Sequence, residues 1–244
     1  MGCETRRRRK SKNRFKFILM AQEVLIVGAS GTGKSTSIEN LNPESTFIVN
    51  VARKALPFKG WKTKYPTFDK ENPKGNFCST DVPHEILGCL NYINEKRPEI
   101  KTIIVDDYQY TMANEYMRRA NETGFKKFTE IAQNAWSVIN AVKSMRDDLL
   151  VVFMMHSEVT YDAHGNKVTK AKTIGKMMDN VVTLEGMFTI VLYTDVTKGE
   201  NGMEYSFITE NDGANTGKAP KDMFGSVKIP NDLTLVANAI EAYQ

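Results

Sequence analysis

Gly28-Ala29-Ser30-Gly31-Thr32-Gly33-Lys34-Ser35 follows the apolar run Val24-Leu25-Ile26-Val27 and leads into Thr36-Ser37-Ile38-Glu39-Asn40-Leu41. The octet reads G-x-x-x-x-G-K-[ST] between a buried strand and a helix start, the context expected of a phosphate-binding loop. Its glycines let the backbone wrap closely around phosphate, and successive N–H groups point into one concavity. A helix N-terminus adds a favourable dipole and free donors for anionic oxygens. Gly28, Ala29, Ser30, Gly31, Thr32, Gly33, Lys34, Ser35 and Thr36 are therefore the expected cradle for ATP. Lys34 is expected to reach the β- and γ-phosphates and the Ser35 hydroxyl to ligate Mg2+.

Working outward, Ile103-Ile104-Val105-Asp106-Asp107 supplies a second buried strand that ends in acids. Asp106 is the expected partner of Mg2+ beside the phosphates. A carboxylate must also orient and deprotonate the attacking water. Asp107 is the nearest candidate in sequence; its alternative role is to cap the helix that follows. Phe153-Met154-Met155-His156 ends another apolar run on a polar residue. If that strand lies between the P-loop strand and the Asp106 strand, His156 faces the γ-phosphate and senses ATP against ADP. His84 and His164 lack such a setting and read as surface.

The 244 residues suggest one large or two small domains, with a core that needs no staples. Cys3, Cys78 and Cys89 are not in metal-ligand spacing and read as free thiols of a reducing compartment. No stretch approaches the roughly 18 apolar residues of a membrane span, and Phe15–Met20 is too short for a signal-peptide core. The net charge of +4 is unevenly placed: eight basic residues face Glu4 over residues 1–19, a net of +7 that leaves −3 on the remainder. This tail is a disordered arm attracted to nucleic-acid phosphates, an extension upstream of a natural start at Met20, or a non-native leader. Arg6 stands where N-myristoylation needs Ser or Thr, which argues against acylation.

Strand and helix patterns alternate, predicting an α/β fold with a mainly parallel sheet. Strands are expected at 23–27, 47–51, 101–106, 149–155 and 188–193, and helices at 34–41, 83–96, 109–120, 125–147, 176–184 and 231–243. The 125–147 segment carries Ile131, Ala135, Val138, Ile139 and Val142 on one helical face. Pro57, Pro66, Pro73, Gly60 and Gly75 mark residues 52–82 as a long irregular connection, often functional in compact domains. Hairpins are expected at 158–169 and around 197–208.

With these motifs in place, the chain resembles the RecA-like P-loop ATPases, and more closely the phage-encoded, ATP-dependent Sak group of single-strand annealing proteins. The segments that carry the resemblance are Gly28–Ser35, Ile104–Tyr110, Val152–His156, Thr173–Asn180 and Glu185–Leu192, within a span of about 22–225. It implies a RecA-like ATPase domain over 21–244 behind a basic, disordered arm at 1–20. It also implies an ATP- and Mg2+-dependent recombination protein of the host bacterial cytoplasm, assembled as a ring or filament on single-stranded DNA, with a single-strand-binding protein as a further partner. In such folds the loop after the His156 strand touches DNA; here that is Ser157–Ile174, with Tyr161, Lys167, Lys170 and Lys172. Basic and aromatic side chains on a hairpin suit backbone tracking and base stacking. A second DNA loop is expected near Asn121–Lys127.

The family's catalytic Glu after the second strand is missing from Asn50-Val51-Ala52-Arg53-Lys54, so either Asp107 replaces it or hydrolysis is slow. Lys218 is the first candidate for a cation inserted into a neighbour's ATP site, followed by Lys176 and Arg53. Two other readings stay open: an ATPase that works on a protein partner, as helicase loaders and motors do, and a nucleotide-dependent scaffold that hardly hydrolyses.

Overall fold

The computed structural model describes residues 20–161, 164–175 and 183–243. Its centre is a sheet of continuous apolar strands. Runs such as Val24–Val27 and Ile103–Val105 have no polar alternation, so both faces must be covered, and parallel pairing follows. The strands are β1 (Gln22–Gly28), β2 (Thr46–Asn50), β3 (Phe77–Cys78), β4 (Thr102–Asp106), β5 (Leu150–Tyr161), β6 (Lys167–Ala171), β7 (Ile190–Gly199), β8 (Gly202–Ile208) and β9 (Lys228–Pro230). Their order is β3-β2-β4-β5-β1-β7-β8-β9, with β6 paired to β5 off this path. Every pair from β3 to β7 is parallel. β8 and β9 continue the edge in antiparallel fashion, and β6 folds back on β5 as a hairpin. The expected fold class is thus the observed one, including the hairpin insertion and the antiparallel edge.

Five helices surround the sheet: α1 (Trp61–Lys64), α2 (Pro83–Lys96), α3 (Gln109–Arg118), α4 (Lys126–Val142) and α5 (Leu233–Tyr243), counted among the described residues. Alternate side chains of each strand build two cores. Leu25, Val27, Ile103, Val105 and Phe153 pack under α2 and α4, whose stripes are Ile86, Leu90, Ile93 and Ile131, Ala135, Val138. Val24, Ile26, Ile48 and Val152 pack on the other face against α5 and against Ile38, Leu56, Phe58 and Tyr65. Each fully buried Leu, Ile or Val contributes on the order of 1.5–3 kcal/mol relative to exposure.

The structure redraws several elements. The helix expected at 34–41 is a 3-10 turn over Ser35–Ile38. Its Ser37 hydroxyl donates back to the Lys34 carbonyl at 2.6 Å, the local competition that makes serine a poor helix interior, and Pro43 bars any extension beyond Asn42. The connection over 52–82 is partly ordered, with α1 and the edge strand β3 inside it. β5 does not stop before His156 but runs on through it to Tyr161. Of the helix expected at 176–184, residues 176–182 lie outside the described residues, and Leu184–Met187 is a 3-10 turn. Cys78 and Cys89 are free thiols with sulfurs 3.6 Å apart. No helix among the described residues is long and apolar enough to cross a membrane.

Candidate nucleotide site

The carboxyl ends of parallel strands are where open α/β sheets bind ligands, and here β1 and β4 end beside the point where β5 leaves its parallel partners at His156. The register sets Gly28 beside His156, and Asn50 of β2 beside Asp106. The strand carrying His156 does lie between the P-loop strand and the Asp106 strand, so His156, Asp106 and the loop after β1 open onto one cavity of about 460 Å³. Ser30, Gly31 and Gly33–Thr36 line its floor.

The loop's shape depends on its glycines. Gly31 and Gly33 hold φ values of 78° and 90°, which L side chains rarely adopt. Gly28 is required by crowding instead: a Cβ there would stand 1.7 Å from the Thr194 hydroxyl. Thr194 of β7 also meets the Thr32 hydroxyl at 2.6 Å, tying the loop to the strand beside it. Lys34 is buried, and its ammonium donates to the Gly28 and Ala29 carbonyls at 2.7 and 2.8 Å. This folds the cation along the inside of the cradle. Burial pulls its pKa below the usual lysine value, against the charges of Asp107 and Asp106.

Ser35 donates its hydroxyl to Asp106, at 2.8 Å to Oδ2 and 3.1 Å to Oδ1. A hydroxyl and a carboxylate are hard oxygen ligands of the kind Mg2+ takes alongside substrate phosphates. Burial pushes the Asp106 carboxyl up to about 6, with the neighbouring Asp107 charge adding to it and Ser35, Lys54 and Lys34 opposing. A buried acid with this penalty suits a site that receives a cation. Residues and chemistry therefore fit the expected metal.

Asp107 is only 2 % exposed and sits at φ 59°, left-handed for a non-glycine residue. Strain of this kind gathers where a side chain must be aimed. The side chain does not cap α3, which has no side-chain cap; it turns into the cavity. One oxygen pairs with Lys54, and the other lies 3.2 Å from His156 Nε2. Lys54, with its side chain 58 % exposed, stands just past β2, in the stretch where the resemblance led to the expectation of an acid. Burial alone would lower its pKa, but the hydrogen bond and charge of Asp107, with Asp106, raise it overall. His156 is shifted down, first by burial and then by Lys34, so the neutral imidazole is favoured and its contact with Asp107 calls for the proton on Nε2. Gln109 fixes the strand end by accepting the His156 backbone N–H at 3.1 Å.

Other expected residues sit elsewhere. Tyr161 is 73 % exposed near the hairpin tip and pairs across to Lys167, also exposed. Lys170 is on the opposite face of the hairpin, 3.2 Å from Glu158, because alternate residues of a strand face opposite ways. The four residues therefore do not make one surface. Lys172 is exposed just beyond β6, and its backbone N–H donates to the His156 carbonyl at 2.8 Å. Lys218 does not line the cavity of its own chain. Its backbone ladders with Val191, the second residue of β7, away from the carboxyl edge of the sheet. Arg53 pairs with Asp81 at 3.1 Å, and Lys176 lies outside the described residues.

Lys54, Gln109, Thr194, Tyr205 and Asn231 also build or border the cavity and were not anticipated from the sequence as site residues. Only Lys54 left a trace there, as the absence of an acid.

Solved structures that match the chain in overall fold include two from archaea. A KaiC-like protein from Pyrococcus horikoshii is 12 % identical, with 78 % of each chain covered and a TM-score of 0.46. The flagellar accessory protein FlaH from Methanocaldococcus jannaschii is 15 % identical, with 84 % of each chain covered and a TM-score of 0.41. No curated protein matches the chain. The AAA domain family AAA_24 matches residues 20–220, the whole span from the start of β1 past β8. The P-loop, the Asp106 strand and the strand between them all fall inside that match, and the chain belongs to this AAA domain family of P-loop proteins.

Proposed function

We propose that the chain binds and hydrolyses ATP and couples hydrolysis to single-stranded DNA, as in the phage annealing proteins it resembles. The observation that carries the reading is the continuity of β5. The strand that places His156 in the cavity runs without a break into the hairpin bearing Tyr161 and Lys167. A change at the γ-phosphate has a rigid path of about five residues to that exposed tip.

In this reading the loop's N–H groups and Lys34 hold the β- and γ-phosphates, while Ser35 and Asp106 hold the metal. Mg2+, when bound, neutralises developing charge on the phosphates. Asp107 takes the proton of the attacking water. Lys54 and His156 hold its carboxylate in place until substrate competes for Lys54. His156 reports the presence of the third phosphate to the hairpin. Assembly into a ring or filament would let a neighbour's Lys218 complete the site from outside.

Tyr161→Ala should weaken binding of labelled single-stranded DNA about tenfold, the order of one base–aromatic stack. Lys167→Ala should lower the slope of log affinity against log salt by somewhat less than one unit, as expected for one phosphate contact. Fluorescence anisotropy at several salt concentrations measures both. Wild-type affinity and slope in both variants would remove the hairpin from DNA and favour a protein partner instead.

A further inference from the structure

The cavity has two chemically different ends. Asp106, Asp107, Lys54 and His156 gather at one. At the other, Tyr205 of β8 and Asn231, just past β9, lean over the loop itself. A Cβ on Gly33 would lie 3.1 Å from both Tyr205 Cδ1 and Asn231 Nδ2. The Asn231 amide donates to the Thr32 carbonyl at 3.4 Å, and its backbone N–H donates to the Tyr205 carbonyl at 3.2 Å. The next residue, Asp232, accepts from Asn40 at 2.8 Å, which clamps this corner to the segment following the loop.

A triphosphate on the loop with its terminal phosphate toward Asp106 carries its nucleoside the other way, toward this corner. We infer that Tyr205 and Asn231 are the nucleobase subsite, with Tyr205 stacking on the ring and Asn231 selecting adenine. The Tyr205 side of the argument is area: the residue is 46 % exposed and lines the cavity, so a ring face is available to a base. The Asn231 side is complementarity. A carboxamide presents a donor beside an acceptor, which matches the N6 donor and N7 acceptor of adenine. Guanine presents two acceptors on that edge and favours a cation. Of the lysines of the cavity, Lys34 is folded onto the Gly28 and Ala29 carbonyls and Lys54 pairs with Asp107 instead.

The inference rests on the proposed nucleotide-binding reading, and one set of titrations separates the two. ATP, GTP and inorganic tripolyphosphate, each with Mg2+, are titrated calorimetrically into the full chain and into Tyr205→Ala, Tyr205→Phe and Asn231→Ala. Thermal melting checks that each variant is folded. Wild type is expected to bind ATP about tenfold more tightly than GTP. Tyr205→Ala should lose about tenfold for both nucleotides and nothing for tripolyphosphate, with Tyr205→Phe restoring the loss. Asn231→Ala should bring ATP to the level of GTP. The inference is overturned if the alanine variants bind ATP as wild type does. It is equally overturned if they lose tripolyphosphate in proportion, since the residues would then only prop the loop. Wild type that binds neither nucleotide nor tripolyphosphate sinks the nucleotide reading itself. Binding of tripolyphosphate with no gain from the nucleoside sinks the subsite alone.

Discussion

Lys34→Ala is expected to lower ATP affinity by roughly a hundredfold, the equivalent of about 3 kcal/mol for charge-assisted bonds to phosphate. Lys34 is the cation built into the loop, and it is already folded along the inside of the cradle by the Gly28 and Ala29 carbonyls. ATP therefore meets a side chain that needs little ordering, and the charge is well used because the site is buried. Lys34 takes no part in either apolar core, so the fold should survive the change. Calorimetric titration with ATP and a thermal melt measure the two effects separately. Unchanged affinity in a folded Lys34→Ala protein would mean that the loop does not hold the phosphates.

Asp106→Asn has the second large effect, and it falls on turnover. The amide keeps the size of the carboxylate, and its oxygen can still accept the Ser35 hydroxyl, so the packing at the end of β4 is retained. What disappears is the negative charge that holds Mg2+ against the phosphates. Phosphate release should fall on the order of 100- to 1,000-fold, the usual loss when a charge-stabilising group leaves a reaction centre. Nucleotide binding in the presence of a chelator should match wild type, whereas the gain in affinity on adding Mg2+ should vanish. Undiminished Mg2+-dependent turnover would move the metal to other ligands.

How much of this was legible in the sequence depends on the range of each interaction. The P-loop and Asp106 could be read directly, because their chemistry lies in short runs behind buried strands. α2 could be placed at Pro83–Lys96 because a proline at the first turn and an apolar stripe act locally. The 3-10 turn after the loop departs from the expected helix because the apolar spacing of Ile38 and Leu41 suits a helix, while the Ser37 hydroxyl competes with it. The position of His156 required a strand order that periodicity does not encode; the placement of β5 between β4 and β1 brings it to the cavity. Lys54 and Asp107 lie 53 positions apart, and their pairing follows from the strand order β2-β4 rather than from any motif. Asn231 reaches Thr32 across 199 positions. Such contacts leave no pattern in a single sequence. Lys170 shows the opposite case: its charge stands out in the sequence, but strand alternation sets it beside Glu158 on the face opposite Tyr161 and Lys167.

The central claim is that one β-strand couples an ATP-hydrolysing cavity to a DNA-touching tip. The most direct test is the rate of phosphate release from Mg-ATP with and without single-stranded DNA, in wild type and in Tyr161→Ala. The account predicts that DNA raises the wild-type rate severalfold and that Tyr161→Ala keeps the basal rate but loses the rise. A wild-type rate that is the same with and without saturating single-stranded DNA would contradict it.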